Sequence, residues 1–194
     1  MRAPYKKEHL RSVNLASFDS GLRKLFISQL RRMVWAEREF TKTLPKIFTN
    51  ISSPNLTSII KDYAVVSERQ VKRLEKMFVL MDKSSRGRKS EVMQSFIKEF
   101  QTVFTDTKYG PVRDAAIALV QKVKHYSIAV YGTLVDFSQM LGEYALVDLL
   151  SKTLEEEKDT DYFLSQTAYK AINFDAAIDE NKYFASHYYK EKTV

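Results

Sequence analysis

Three of the four long helical stretches in this chain carry an ionisable side chain on a stripe that should be apolar. Read at steps of three and four residues, the spacing of a helix face turned to a core, the first stripe is Phe26, Leu30, Met33, Glu37, Phe40, Leu44 and the second Ile59, Tyr63, Val66, Gln70, Leu74, Met77. The third is Ile117, Val120, Lys124, Ser127, Tyr131, Leu134 and the fourth Leu146, Leu150, Thr153, Glu157, Asp161, Leu164. Each charge stands near the middle of its helix, so helices packed in register would bring them to one depth. Buried charges are normally paired or bound to metal. Carboxylates converging in a four-helix core build di-iron or di-manganese sites, with one Glu from each of two helices and Glu-x-x-His from the other two. Here the set is partial. The second helix offers Val66 and Arg69 at that spacing and the third Lys124 and Ser127. A protonated Lys has three donors and no acceptor. Glu37, Glu156, Glu157 and Asp161, with His125 beside the seam, are the remaining candidate ligands for iron or manganese.

The elements that must position these groups are helices. The spacing predicts one from Asp19 to Asn50, capped by Asp19 or Ser20, with Pro45 kinking or ending it. A second starts at Ser53-Pro54, where a first-turn proline does little harm, and runs to Asp82. A loop over 83–88, a shorter amphipathic helix over 89–105 and a turn at Lys108-Tyr109-Gly110-Pro111 follow. A third long helix spans Val112–Leu141, with Gly142 as its stop, and a fourth Glu143–Ala171. The connection between the second and third is long enough to cross the bundle end to end, the connectivity of ferritin-like folds. The chain thus divides into an N-terminal arm at 1–18, a four-helix bundle at 19–171, and a tail at 172–194 rich in aromatics (Phe174, Tyr183, Phe184, Tyr188, Tyr189) that packs on the bundle or on a second copy.

Composition agrees. Five glycines and four prolines in 194 residues are too few for a sheet protein with many tight turns. Without cysteine, disulfides, thiolate metal sites and cysteine nucleophiles are excluded; this fits a reducing cytoplasm, the expected location. No apolar run reaches the roughly 18 residues of a membrane span, and MRAPYKKEHLRSVNLASF lacks the apolar core of a signal peptide. Lys and Arg total 31 against 24 Asp and Glu, a net charge of +7 and pI near 9.4. Nucleic acid is therefore a partner to consider, with Lys83, Arg86, Arg88 and Lys89 as the densest basic stretch. The alternative is solvated faces, the role read for Glu68 and Glu75 among Arg69, Lys72 and Arg73.

The stretches LRKLFISQL…WAEREFTKTLPKI, SERQVKRLEKMF, DAAIALVQKVKHYSIAVYGTL and LLSKTLEEEKDTDYFLSQTA closely resemble the YciE/YciF-like family, also called DUF892, over about residues 22–170. The resemblance implies a ferritin-like bundle, a homodimer and an association with bacterial stress, with no settled activity. It implies that Glu37 and Glu156 or Glu157 sit where family metal ligands sit. The family's third helix resembles K-V-E-H-Y-E-I-A-x-Y-G-T-L, and its two Glu positions are Lys124 and Ser127 here. Its second resembles H-L-E-E-T-x-x-Q-V-x-R-L-E, where the His is Tyr63 and the Glu pair Val65-Val66. His125, Tyr126, Tyr131, Gly132 and Asp161 match.

Lys124 then has three readings. In the preferred one the ammonium occupies part of a metal's space and pairs with Glu37 and Glu157. Such a pair about 4 Å apart gains roughly 4 kcal/mol at an effective dielectric near 20, before desolvation, which can cancel it. Alternatively Lys124 snorkels outward, or a residual metal site persists through Glu37, Glu156, Glu157 and Asp161. His125 is expected to be partly buried and hydrogen-bonded, Tyr63, Tyr126 and Tyr131 to pack with their hydroxyls satisfied, and Trp35 to serve packing or an interface. Three functions follow: a structural or partner-binding bundle with a degenerate metal site and no cofactor, a di-metal oxidase or peroxide-handling enzyme with an unusual ligand set, and a basic DNA-associating stress protein.

Overall fold

The computed structural model describes residues 21–49, 51–107, 110–115 and 118–178, and every regular element among them is helical. They are α1 (Gly21–Phe48), α2 (Pro54–Leu80), α3 (Glu91–Asp106), α4 (Gly110–Ala115), α5 (Ala118–Met140) and α6 (Tyr144–Thr167), the last continuing through a π-helical turn at Ala168–Ile172 to residue 178. The arm at 1–18, the Asp19/Ser20 cap, Ile117 and the aromatic positions Tyr183, Phe184, Tyr188 and Tyr189 lie outside the described residues.

Local chemistry sets the boundaries. The Ser53 side chain accepts from the Leu56 N–H with Pro54 in the first turn of α2, and Ser90 caps α3 by accepting from Met93 N–H. Two helices end on left-handed residues, Asp82 (φ 51°) and Gly142 (φ 71°). In each case the next N–H reaches back to the last turn, Lys83 to Phe78 O at 2.9 Å and Glu143 to Ser138 O at 2.9 Å. That closure satisfies carbonyls that a helix end leaves open. Gly142 is the stop expected from sequence. Pro45 neither breaks nor ends α1, which continues to Phe48. The third long helix of the pattern is described as Gly110–Ala115 and Ala118–Met140, with 116–117 outside the described residues. Asp114 anchors the first of these stretches. Its buried carboxylate accepts from Ser52 N, Ser52 Oγ and Ser53 N at 2.7–2.9 Å, tying this segment to the start of α2.

The core falls into two apolar clusters. One holds Phe40, Leu44, Ile60, Tyr63, Phe100, Val120, Val123 and Leu164; the other holds Phe26, Leu30, Leu74, Met77, Tyr131, Leu134, Leu146 and Leu150. The order in which each helix meets them makes α1 parallel to α6 and α2 parallel to α5, the two pairs opposed. Because α2 and α5 run the same way, the connection between them must return along the bundle, and α3 packs on α1 and α5 as it does so. This is the ferritin-like four-helix bundle whose long crossover carries an extra helix. Glu37, Ser67, Gln70, Lys124, Ser127, Thr153 and Glu157 are all buried, and by their place between the apolar residues of each helix they form a polar layer between the clusters.

Candidate functional site: a buried lysine–carboxylate centre

The polar layer is built by the stripes read from sequence, with two changes of phase. On α2 the buried face runs Leu56, Ile60, Tyr63, Ser67, Gln70, Leu74, Met77, so Ile59 and Val66 are half-buried flanks and Ser67 takes the core position. On α6 it runs Leu150, Thr153, Glu157, Thr160, Leu164, which moves Asp161 off the seam.

Lys124 lies at the centre with none of its side chain exposed; it does not snorkel. Its Nζ donates to Glu157 Oε2 at 2.7 Å and contacts the Tyr63 hydroxyl, which in turn donates to Glu157 Oε1 at 3.2 Å. The Phe40 ring centroid is 5.4 Å from Nζ, within the range where an aromatic face favours a cation. The pairing expected with Glu37 is not the one made: Glu37 Oε1 accepts from the Tyr131 hydroxyl at 2.9 Å. Because α1 runs against α5, Glu37 comes to the depth of Tyr131, and Phe40 comes to that of Lys124.

Burial pushes the Glu37 carboxyl up to about 7; the nearby Glu157 charge adds to the rise, while Lys124 and the Tyr131 hydrogen bond oppose it. Burial likewise raises both phenols, with Glu157 the leading charge at Tyr63 and Glu37 at Tyr131, so both remain donors at neutral pH. The Glu37 shift fixes a pH dependence. Between pH 4.5 and about 7 the folded chain holds a proton that the unfolded chain has released, so stability falls as pH rises through that window. The loss is about 3 kcal/mol at full ionisation. Glu37→Gln, which can still accept from Tyr131, is expected to flatten the urea-unfolding free energy against pH from 5 to 8 and to exceed the wild type in stability at pH 8. An unchanged slope would assign the titration elsewhere.

The other candidate ligands have different partners. Glu156 is held by Arg73, which donates to its two oxygens at 2.8 and 2.9 Å and to Thr153 at 2.7 Å. Burial pushes the Glu156 carboxyl up, but the hydrogen bond and charge of Arg73, helped by Gln70 and Arg69, outweigh it and hold the group below its ordinary value. Arg73, read from sequence as part of a solvated face, is thus an interhelical clamp with a side chain only 10 % exposed. Its signal was its place beside Leu74, on the flank where Glu156 sits beside Glu157. Glu75 pairs across helices with Arg38 at 2.6 Å. Asp161 Oδ2 lies 3.1 Å from His125 Nε2; His125 is hydrogen-bonded but 69 % exposed, not partly buried. Tyr126 faces the crossover, its ring edge-on to Phe96 and its hydroxyl 3.4 Å from Ser90 Oγ. Val66 lines a groove of about 340 Å³ between α2 and α6 with Tyr63, Glu156, Thr160 and Phe163. Ser127 Oγ and Gln70 Oε1 are buried without a hydrogen-bond partner. Among the described residues no three His, Asp or Glu side chains stand together in a group that could hold a metal ion. Nor is any helix there long and apolar enough to cross a membrane. Lys83, Arg86, Arg88 and Lys89 are exposed, on the segment linking α2 to α3.

Comparison with known proteins agrees with this architecture. The DUF892 profile, a domain of unknown function, matches residues 21–177. Protein YciF of Escherichia coli K12 is 35 % identical over 162 residues, covering 81 % of this chain and 95 % of that protein. The crystal structure of the E. coli stress protein YciF superimposes with a TM-score of 0.75 at 32 % identity, over 80 % of this chain and 99 % of that one. YcfI of Rhodopseudomonas palustris gives 0.74 at 30 %, over 77 % and 96 %. The chain is a YciF-type member of the DUF892 family.

Proposed function

We propose that this protein is a YciF-type bundle in which an internal ion pair stands where relatives would bind metal, and that it acts in stress physiology by assembly or partner binding, as a homodimer, rather than by metal-dependent oxidation. The carrying observation is the Lys124–Glu157 bond of 2.7 Å with both side chains fully buried. A di-metal centre needs carboxylate and imidazole donors from four helices, and the donors present do not fit one. Both Glu157 oxygens are engaged by Lys124 and Tyr63, Glu156 is held by Arg73, Asp161 by His125, and Val66 has no ligating atom. An ammonium supplies one positive charge at a fixed point, which makes buried carboxylates tolerable. The description of E. coli YciF as a stress protein supports the physiological half of the reading, and that of YcfI as a candidate structural protein the structural half.

Elemental analysis of protein purified from cells grown with added iron and manganese tests this. The expected content is well below one metal per chain, unchanged by Glu157→Gln. Two metals per chain, lost on Glu37→Gln or Glu157→Gln, would overturn this reading and favour the di-metal alternative.

A further inference from the structure

We propose that the crossover segment 83–90, clamped along α1, forms a basic ridge that binds the phosphate backbone of duplex nucleic acid. Three contacts hold the segment down. The Arg88 N–H donates to Arg31 O at 2.8 Å, and Arg32 donates from its guanidinium to Lys89 O at 3.3 Å. Gly87 lies so close to α1 that a Cβ there would meet Trp35 N and Cβ at 3.1 Å. That is tighter than ordinary contact, so a side chain here would push the segment and α1 apart by a few tenths of an ångström. The clamp sets Arg86, Arg88 and Lys89 of the crossover beside Arg31 and Arg32 of α1, with Lys83 at the head of the segment. A charge run in sequence thereby becomes a surface that includes α1 residues distant in the chain.

Little among the described residues neutralises it. Among the described residues no carboxylate lies in ion-pair range of Arg31, Arg32, Lys83, Arg86 or Arg88, and the Lys89–Glu91 pair, at 3.3 Å, is exposed. Arg31 Nε is shut off from solvent with no acceptor. Four of the six cations are arginines, whose planar fork matches phosphate oxygens. Held against α1, the segment fixes its cations beside those of the helix, a concentration of charge that suits a polyanionic backbone. No aromatic or base-reading element joins them among the described residues, so binding is to backbone and independent of sequence.

Fluorescence anisotropy with a 20-base-pair DNA duplex, titrated from 50 to 200 mM KCl, is the test. Four to five phosphate contacts predict that affinity falls about 100-fold or more across that range. Arg86→Gln/Arg88→Gln/Lys89→Gln should lose at least about tenfold at 50 mM and reduce the log–log salt slope by about 2 to 3. Lys61→Gln/Lys76→Gln/Lys158→Gln, with the same change in net charge, should lose less than about threefold. Gly87→Val changes no charge; by lifting the crossover off α1 it should weaken binding several-fold while circular dichroism stays helical. Equal losses in the two triple variants, or no effect of Gly87→Val in a helical protein, would overturn the ridge. Tighter binding to phosphatidylserine vesicles than to duplex at equal salt would overturn the choice of partner. None of these variants touches the buried centre, so a negative result here leaves the reading of Lys124 intact.

Discussion

Lys124→Met is expected to destabilise the folded chain by about 3–5 kcal/mol at pH 7, the usual penalty for removing one partner of a buried ion pair. For a domain of this size that is a fall in Tm of roughly 10 °C or more. Methionine nearly conserves the volume, so the loss is electrostatic. Glu157 keeps only the Tyr63 hydroxyl, and Glu37 loses the charge that offsets its repulsion from Glu157. The cost should shrink in acid, where protonation relieves both carboxyls. Lys124→Met/Glu157→Leu should recover most of the stability, because replacing a whole buried pair by apolar side chains is often neutral or better. A double-mutant cycle in urea at pH 7 reads both numbers. A single variant as stable as the wild type would mean that the ammonium compensates nothing.

The second large effect is a gain. Val66→Glu/Lys124→Glu/Ser127→Glu introduces the carboxylates that the family resemblance implies for the second and third helices, and adding Tyr63→His replaces the phenol now bonded to Glu157. Removing the amine while adding three acids converts a site carrying its own cation into one that must acquire cations. The four-residue variant is expected to bind about two iron or manganese ions per chain, as ferritin-like carboxylate centres do. Unfolding should then occur at a temperature that rises with metal concentration. Without metal the variant should be less stable than the wild type, since it buries like charges. A variant that is helical yet takes up no more metal than the wild type would count against the alignment of the four seams.

Much of this architecture is legible in the sequence because helical periodicity is a local signal. The stripe on α1 is buried at every position read, from Phe26 to Leu44, and Ser53, Pro54 and Gly142 mark their helix ends by capping chemistry. The errors fall where the answer depends on a neighbouring helix. Val66 and Ser67, or Thr160 and Asp161, satisfy spacings of four and three equally well, and only the packing partner decides which turns inward. Register is likewise a property of pairs. Nothing within α1 says that Glu37 reaches Tyr131 and not Lys124; that follows from α1 opposing α5. Arg73 and Glu156 lie among other charges in sequence, and their clamp exists only because α2 meets α6. The place of Lys124 on the seam was legible in the sequence, but whether it pairs inside or escapes to solvent was not, since a lone cation on an apolar stripe can do either. Nor was its contact with Tyr63, because the two belong to different helices.

The polar layer has a structural consequence of its own. Glu157, Lys124 and Tyr63 satisfy one another in a single arrangement, whereas the apolar clusters on either side could tolerate a slipped register. Buried polar sets of this kind can specify one packing at some cost in stability. Lys124→Met/Glu157→Leu should therefore keep its stability while broadening its amide spectra.

Anomalous diffraction from crystals grown with both iron and manganese addresses the central claim directly. The proposed account predicts no anomalous peak between Glu37 and Glu157, and density placing Lys124 Nζ at hydrogen-bond distance from Glu157. Two peaks bridging those carboxylates, with the lysine side chain turned out to solvent, would contradict it.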